Sequence, residues 1–197
     1  MEKVYISANE LLSDSFKLAA KIYESGYRPD LIVGVWRGGA PVAIAVQEYF
    51  EFLGVPMPHM AIKAQSYTGI ERQGQVHIEG LDRVLELVGP EDQLLIIDDV
   101  VDSGRTISSI LDQLTAKSFG QISKGEALKT IRVACPWYKP TKNLTSIQPD
   151  YYLHETDDWL VFPHELKGLT EDEILANKGE LAGVFPASEN AKNRANK

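Results

Sequence analysis

The run from Leu94 to Ile107, LLIIDDVVDSGRTI, drives four aliphatic residues into two adjacent carboxylates. A third acid, a serine, a glycine and a threonine follow where a helix should begin. Asp98 and Asp99 at the end of a buried strand repel each other, so one should have its pKa raised unless a cation or hydrogen-bond donors come between them. Vicinal sugar hydroxyls with a divalent metal nearby would meet that need. Asp102, Ser103, Gly104, Arg105 and Thr106 lie on the turn into the next helix. Backbone N–H groups are unpaired there, and the helix end carries a partial positive charge. Glycine permits close approach and two hydroxyls add donors, which makes the turn a phosphate cradle. Sugar hydroxyls at one end and a phosphate at the other describe a ribose 5-phosphate. Taken singly, solvated acids and a serine helix cap would account for the same residues; it is the ordered string that favours the ligand.

These side chains need a sheet that delivers them to one edge. The run DLIVGVW, Asp30 to Trp36, reads as a strand buried on both faces, with RGGAP after it and Pro41 in the first turn of a helix ending at Gly54. PHMAIKAQ, QLLIID and TIRVACPWY are further strands, and DYYLHET and DWLVFP shorter ones. SANE at Ser7 to Glu10 is a capping box for a helix carrying Leu11, Leu12, Phe16, Ala19, Ile22 and Tyr23. LDRVLELVG and TISSILDQLTAKSFG supply two more helices, and TEDEILA a short capped one. Residues 66–80 are polar, glycine-bearing and without a period, and read as a mobile loop; the tail from Pro186 reads as frayed. Strands alternating with helices predict an α/β fold with a mainly parallel sheet. Loops at the carboxyl ends of neighbouring strands then share one crevice, so Arg37, Gly38 and Gly39 should lie near Asp98 and Asp99. Arginine charge and glycine N–H groups suit a diphosphate, although an ordinary tight turn fits the same residues.

The chain has 197 residues, 44% of them hydrophobic, which is enough for one substantial core in a single domain. Its formal charge of -8 disfavours broad binding to nucleic acid or an anionic membrane. One cysteine, Cys135, excludes an intrachain disulfide and fits a reducing cytosol. No apolar run reaches spanning length and no signal-peptide segment is visible, so a soluble cytoplasmic protein is expected. The four histidines, His59, His77, His154 and His164, show no metal-ligand spacing.

The string from Leu94 to Thr106 resembles the phosphoribosyl-diphosphate (PRPP) motif of type I phosphoribosyltransferases: an aliphatic strand, paired acids, two aliphatics, then D-[ST]-G-x-T. The resemblance implies that fold, a mainly parallel sheet flanked by helices. A small hood would come from the N-terminal segment and residues 136–170. It implies that Asp98 and Asp99 hold the ribose hydroxyls and help ligate Mg2+, largely through those hydroxyls and the diphosphate. Asp102, Ser103, Gly104, Arg105 and Thr106 would hold the 5′-phosphate. In the purine branch the acid matching Asp102 also faces the base, and an R-G-G stretch like Arg37, Gly38 and Gly39 binds pyrophosphate after a cis bond, here Trp36–Arg37. Ser66 and Tyr67 resemble a Ser-Tyr pair on a loop that closes over the site, although a surface loop without a role would read alike.

Two later segments bear on the base. WYKP and DDWLVFPHE resemble the base-binding parts of xanthine-guanine and related archaeal purine enzymes. There a lysine donates to the purine 6-oxygen, a tryptophan stacks on the ring and backbone carbonyls meet its edge. The matching residues are Lys139, Trp159 and Leu160, with Pro163 and Glu165 completing the pattern. Core packing for Trp159 and a solvated strand end for Lys139 are the plain alternatives. Glu165 stands where aspartate is usual and His164 where tryptophan is common. The resemblance implies a homo-oligomeric, Mg-dependent enzyme joining a 6-oxopurine to PRPP in purine salvage. A PRPP- or nucleotide-sensing regulator of the same fold, or a transferase for another base, are the alternatives.

Overall fold

The computed structural model describes residues 3–66, 76–89, 91–118, 130–181 and 183–184. Its centre is a five-stranded sheet in the order β4-β3-β2-β5-β7. These strands are β2 (Leu31–Trp36), β3 (His59–Ser66), β4 (Val76–Glu79), β5 (Leu94–Ile97) and β7 (Ile131–Ala134). All neighbours run parallel except β4, which is antiparallel to β3. Side chains alternate across the sheet. Leu31, Val33 and Val35 of β2, with Leu94 and Ile96 of β5, pack under α3 (Leu81–Leu87) and α4 (Arg105–Ser118). On the other face Ile32, Leu95 and Ile97 meet α1 (Ala8–Glu24) and α2 (Gly39–Phe52). Gly34 lets α2 lie close over β2, since a Cβ there would come within 2.9 Å of the Ala43 Cβ. The expected α/β architecture, a mainly parallel sheet covered by helices, is therefore present.

Two small parallel sheets complete the molecule. Lys3–Tyr5 (β1) pairs with Trp159–Val161 (β10). Val100–Val101 (β6), Trp137–Tyr138 (β8) and His154–Glu155 (β9) form the other. The last helix, α5 (Glu171–Asn177), has the predicted capping box at Thr170 and Glu173, and α1 has its own at Ser7 and Glu10.

Several expectations need correction. The segment read as a loop over residues 66–80 contains β4, whose Val76 pairs with Ser66 and whose Glu79 pairs with Lys63. Alternate burial of Val76 and Ile78 is a strand pattern that the surrounding polar residues hid. Ser66 thus ends a strand, while Tyr67 lies outside the described residues, as does the tail from Pro186. TIRVACPWY is two strands in two sheets, because Pro136 interrupts the ladder between β7 and β8. On α1 the buried face is Leu11, Asp14, Ser15, Leu18, Ala19 and Ile22, leaving Leu12 and Phe16 on the outside. Among the described residues no helix is long and apolar enough to cross a membrane.

Candidate active site

The site forms where β2 and β5 end side by side. The backbone of β5 carries directly into Asp98 and Asp99, and Asp98 N–H donates to Ala134 O on the neighbouring strand at 3.1 Å. Asp98 is half-buried, and Asp99 is only 8% exposed. Burial first, and the charge of Asp99 second, push the Asp98 carboxyl well above the usual carboxylate range. The Asp99 N–H donates to Asp98 Oδ1 at 3.0 Å and offsets part of that cost. One acid of the pair therefore has the raised pKa that like charges at a strand end require.

The loop after β2 lies against this pair. The Trp36–Arg37 bond is cis, and Arg37 and Trp36 are exposed. A Cβ on Gly38 would overlap the Asp99 carboxylate. A Cβ on Gly39 would overlap Ile97 O and lie 2.8 Å from the Asp98 Cα. At Gly39 the space is taken by backbone, and at Gly38 by the Asp99 carboxylate in the position it holds here. Gly38 and Gly39 thus lie against Asp98 and Asp99, and Arg37 stands next to them in the chain with its side chain exposed.

Past β6 the chain turns through Asp102, Ser103 and Gly104 into α4, which Arg105 and Thr106 open. Gly104 has φ +73° and its missing Cβ leaves room for Asn143 and Thr145. Leu144 N–H donates to Ser103 O at 3.0 Å, so the 143–145 segment braces this turn from behind.

Lys139 follows β8, its N–H bonded to Val101 O at 2.9 Å. It is 7% exposed, and its Nζ donates to Asp102 Oδ2 at 2.9 Å. A solvated strand end is thus excluded for Lys139. Trp159 on β10 is 55% exposed, which excludes core packing, whereas Leu160 is buried. Asp99, Asp102, Lys139, Trp159, Leu160 and Glu165 line one cavity of about 370 Å³, in the range of small-molecule sites. Two of the motif acids, Asp99 and Asp102, and all four residues expected to bind the base are thus brought to a common cavity, while Asp98 is not part of its lining.

Lys142, Asp157 and Phe162 also line this cavity, and the sequence had singled out none of them. Lys142 stands three residues after Lys139, and Asp157 two before Trp159; these spacings were the available signals. His164 was noted only as a departure. Its Nε2 lies 3.5 Å from Asp99 Oδ2, and its ring stacks on Phe162 at 5.8 Å. Glu165 turns partly inward, accepting from Phe162 N–H at 3.1 Å. Cys135 is fully buried, and burial pushes its thiol pKa up, which fits a core residue rather than a nucleophile.

The donor set can be tested against Mg2+. Among the described residues no group of three His, Cys, Asp or Glu side chains could hold a metal by itself. Mg2+ commonly binds through one or two carboxylates plus substrate phosphates and water, so the Asp98–Asp99 pair suits an ion that arrives with a polyphosphate.

Comparison with known proteins agrees with this geometry. The family described as "Phosphoribosyl transferase domain" matches residues 7–168. The chain is 24% identical over 173 residues to a hypoxanthine-guanine phosphoribosyltransferase of Mus spretus, covering 84% of this chain and 76% of that one. It is 29% identical over 134 residues to the "Bifunctional protein PyrR" of Haemophilus influenzae, covering 64% and 73%. Its fold is similar to a purine phosphoribosyltransferase structure from Pyrococcus horikoshii, with TM-score 0.64, 29% identity and coverage of 87% and 99%. The chain belongs to the phosphoribosyl transferase family, with the type I fold and the arginine–glycine and lysine–proline features of its purine branch.

Proposed function

We propose that this protein transfers the 5-phosphoribosyl group of PRPP to a 6-oxopurine, giving a nucleoside 5′-monophosphate and pyrophosphate. The observation that carries this reading is the buried Lys139, whose ammonium is held by Asp102 within a cavity walled by Trp159. An ammonium favours an oxo over an amino substituent, and an exposed indole face supplies stacking. The similarity to a murine hypoxanthine-guanine phosphoribosyltransferase and to a Pyrococcus purine phosphoribosyltransferase supports a purine as acceptor.

In this reading Asp98 and Asp99 accept from the ribose 2′- and 3′-hydroxyls, while the turn from Asp102 to Thr106 binds the 5′-phosphate. Arg37 and the backbone N–H groups of Gly38 and Gly39 hold the diphosphate. A purine ring nitrogen forms the new bond at the anomeric carbon as the bond to diphosphate breaks, and Asp102, facing the base, accepts the ring proton. Magnesium, held by Asp98 and Asp99 largely through the ribose hydroxyls and the diphosphate, would neutralise charge on the departing group. The protein acts by positioning and electrostatics, with no covalent nucleophile.

A regulatory role in sensing PRPP or a nucleotide is a second reading, favoured by the similarity to a protein called bifunctional. The deciding experiment is pyrophosphate release from PRPP and magnesium with hypoxanthine, guanine, xanthine, adenine, uracil and orotate offered separately. Turnover with 6-oxopurines is the expected result. Turnover only with another base would discard the roles of Lys139 and Trp159. Tight PRPP binding without any turnover would favour the sensor.

A further inference from the structure

The family match ends at residue 168, yet the chain beyond it reaches back to the cavity. Lys178 caps α5, and only 3% of it is exposed. Its Nζ donates to Phe162 O at 2.7 Å and to Pro163 O at 3.0 Å. Both acceptors are backbone carbonyls. A buried amine that meets carbonyls gains little ion-pair energy, so burial lowers its pKa, against the pull of Glu165 and Glu180. Such a residue makes structural sense as a clamp on the turn it holds.

That turn is part of the cavity wall. Phe162 O accepts from Glu165 N–H at 3.0 Å as well as from Lys178, and Phe162 N–H donates to the Glu165 carboxylate. Both backbone polar groups of Phe162 are therefore committed inside the turn. Phe162 and Glu165 line the cavity, and His164 extends from the same turn to Asp99. A second tie runs from Lys3 on β1 to Glu173 on α5 at 2.7 Å, so α5 is also fastened to the strand that pairs with Trp159.

We propose that Lys178 is a positioning residue for the acceptor base, fixing from outside the family domain the turn that forms the wall of the base cavity. The kinetic part rests on the phosphoribosyl-transfer reading; the clamp itself does not. Lys178 touches no reacting atom. Its loss should let the 162–165 turn relax while the Asp98–Thr106 segment stays in place.

The test compares wild type, Lys178→Met and Lys178→Arg by amide hydrogen exchange, thermal melting and steady-state kinetics. In Lys178→Met, exchange at Phe162 and Glu165 should quicken while the β5 amides stay protected. The KM for the base should rise about tenfold, the scale on which small misplacements act, with the KM for PRPP within about twofold. Lys178→Arg should recover part of the loss. Unchanged exchange at Phe162 and Glu165 would overturn the clamp. Equal rises in both KM values, or protection lost throughout β5, would show a general structural role instead and overturn the proposal. A wild-type protein that turns over no base would sink the functional reading, and the exchange result would still decide the clamp.

Discussion

Asp102 and Lys139 meet at 2.9 Å across the cavity, one from the turn before α4 and the other from the end of β8. The acid is half exposed and the lysine nearly covered, so the ammonium is held ready for an acceptor that enters from the open side. Lys139→Met should lower kcat/KM for hypoxanthine or guanine by roughly 10–100-fold, the range expected for a hydrogen bond to a charged group. Adenine, whose amino group is no acceptor for that ammonium, should lose far less. Steady-state kinetics with both bases check this, and equal losses would remove Lys139 from base selection. Because the Asp102 side of the pair is solvated, the fold itself should lose no more than about 1 kcal/mol.

Gly38 and Gly39 separate function from stability. At Gly39 an added methyl would meet backbone, which cannot step aside, so Gly39→Ala should destabilise by about 1–3 kcal/mol. At Gly38 the methyl would meet the Asp99 carboxylate, a side chain that can turn away. Gly38→Ala should melt nearer to wild type and yet bind PRPP several-fold more weakly, as is expected when a positioned group is displaced. Urea unfolding and PRPP titration on both variants give the comparison. The reverse ranking would reject the packing argument.

Asp14 on α1 is buried and binds both His154 Nε2 and Lys17 Nζ at 2.7 Å. Burial pushes its carboxyl upward, but the hydrogen bonds from Lys17 and His154 outweigh it and hold the pKa below the ordinary 3.8. A carboxyl depressed in the folded state adds stability that is present above its unfolded pKa and lost as pH falls through the folded one. Asp14→Asn should therefore cost about 2 kcal/mol near neutrality, with the gap to wild type closing in acid. Thermal melts across the acid range measure it. A gap independent of pH would show that the carboxylate charge is not its source.

The Asp98–Thr106 part of the site was legible because its residues sit in one unbroken string, in the order that a ribose phosphate would require. Buried strands such as Leu94–Ile97 announce themselves by continuous aliphatic content, and the acids follow within two residues. The rest of the cavity is assembled from segments far apart, so Lys142 and Asp157 had only their spacing from Lys139 and Trp159 to mark them. Short strands were equally hidden. Lys3–Tyr5 and Val100–Val101 are strands only because a distant segment lies alongside, and pairing decides what propensity cannot. Lys178 escaped for a related reason: a lysine in a polar stretch looks solvated until the two carbonyls it binds are in place.

The pairing of β1 with β10 bears on the order of synthesis. Lys3 lies opposite Trp159, so β1 has no ladder partner until the more than 150 residues between them have been made. The β2–β5 sheet, which leads into the acid pair and the turn into α4, is hydrogen-bonded to neither of these strands. Contacts that close so long a loop carry the largest entropic cost and form late. On this topology a nascent chain pairs the strands that carry Asp98 and Asp99 before β10 supplies Trp159, so a stalled or truncated product would keep the acid pair at its sheet edge and lack one wall of the cavity.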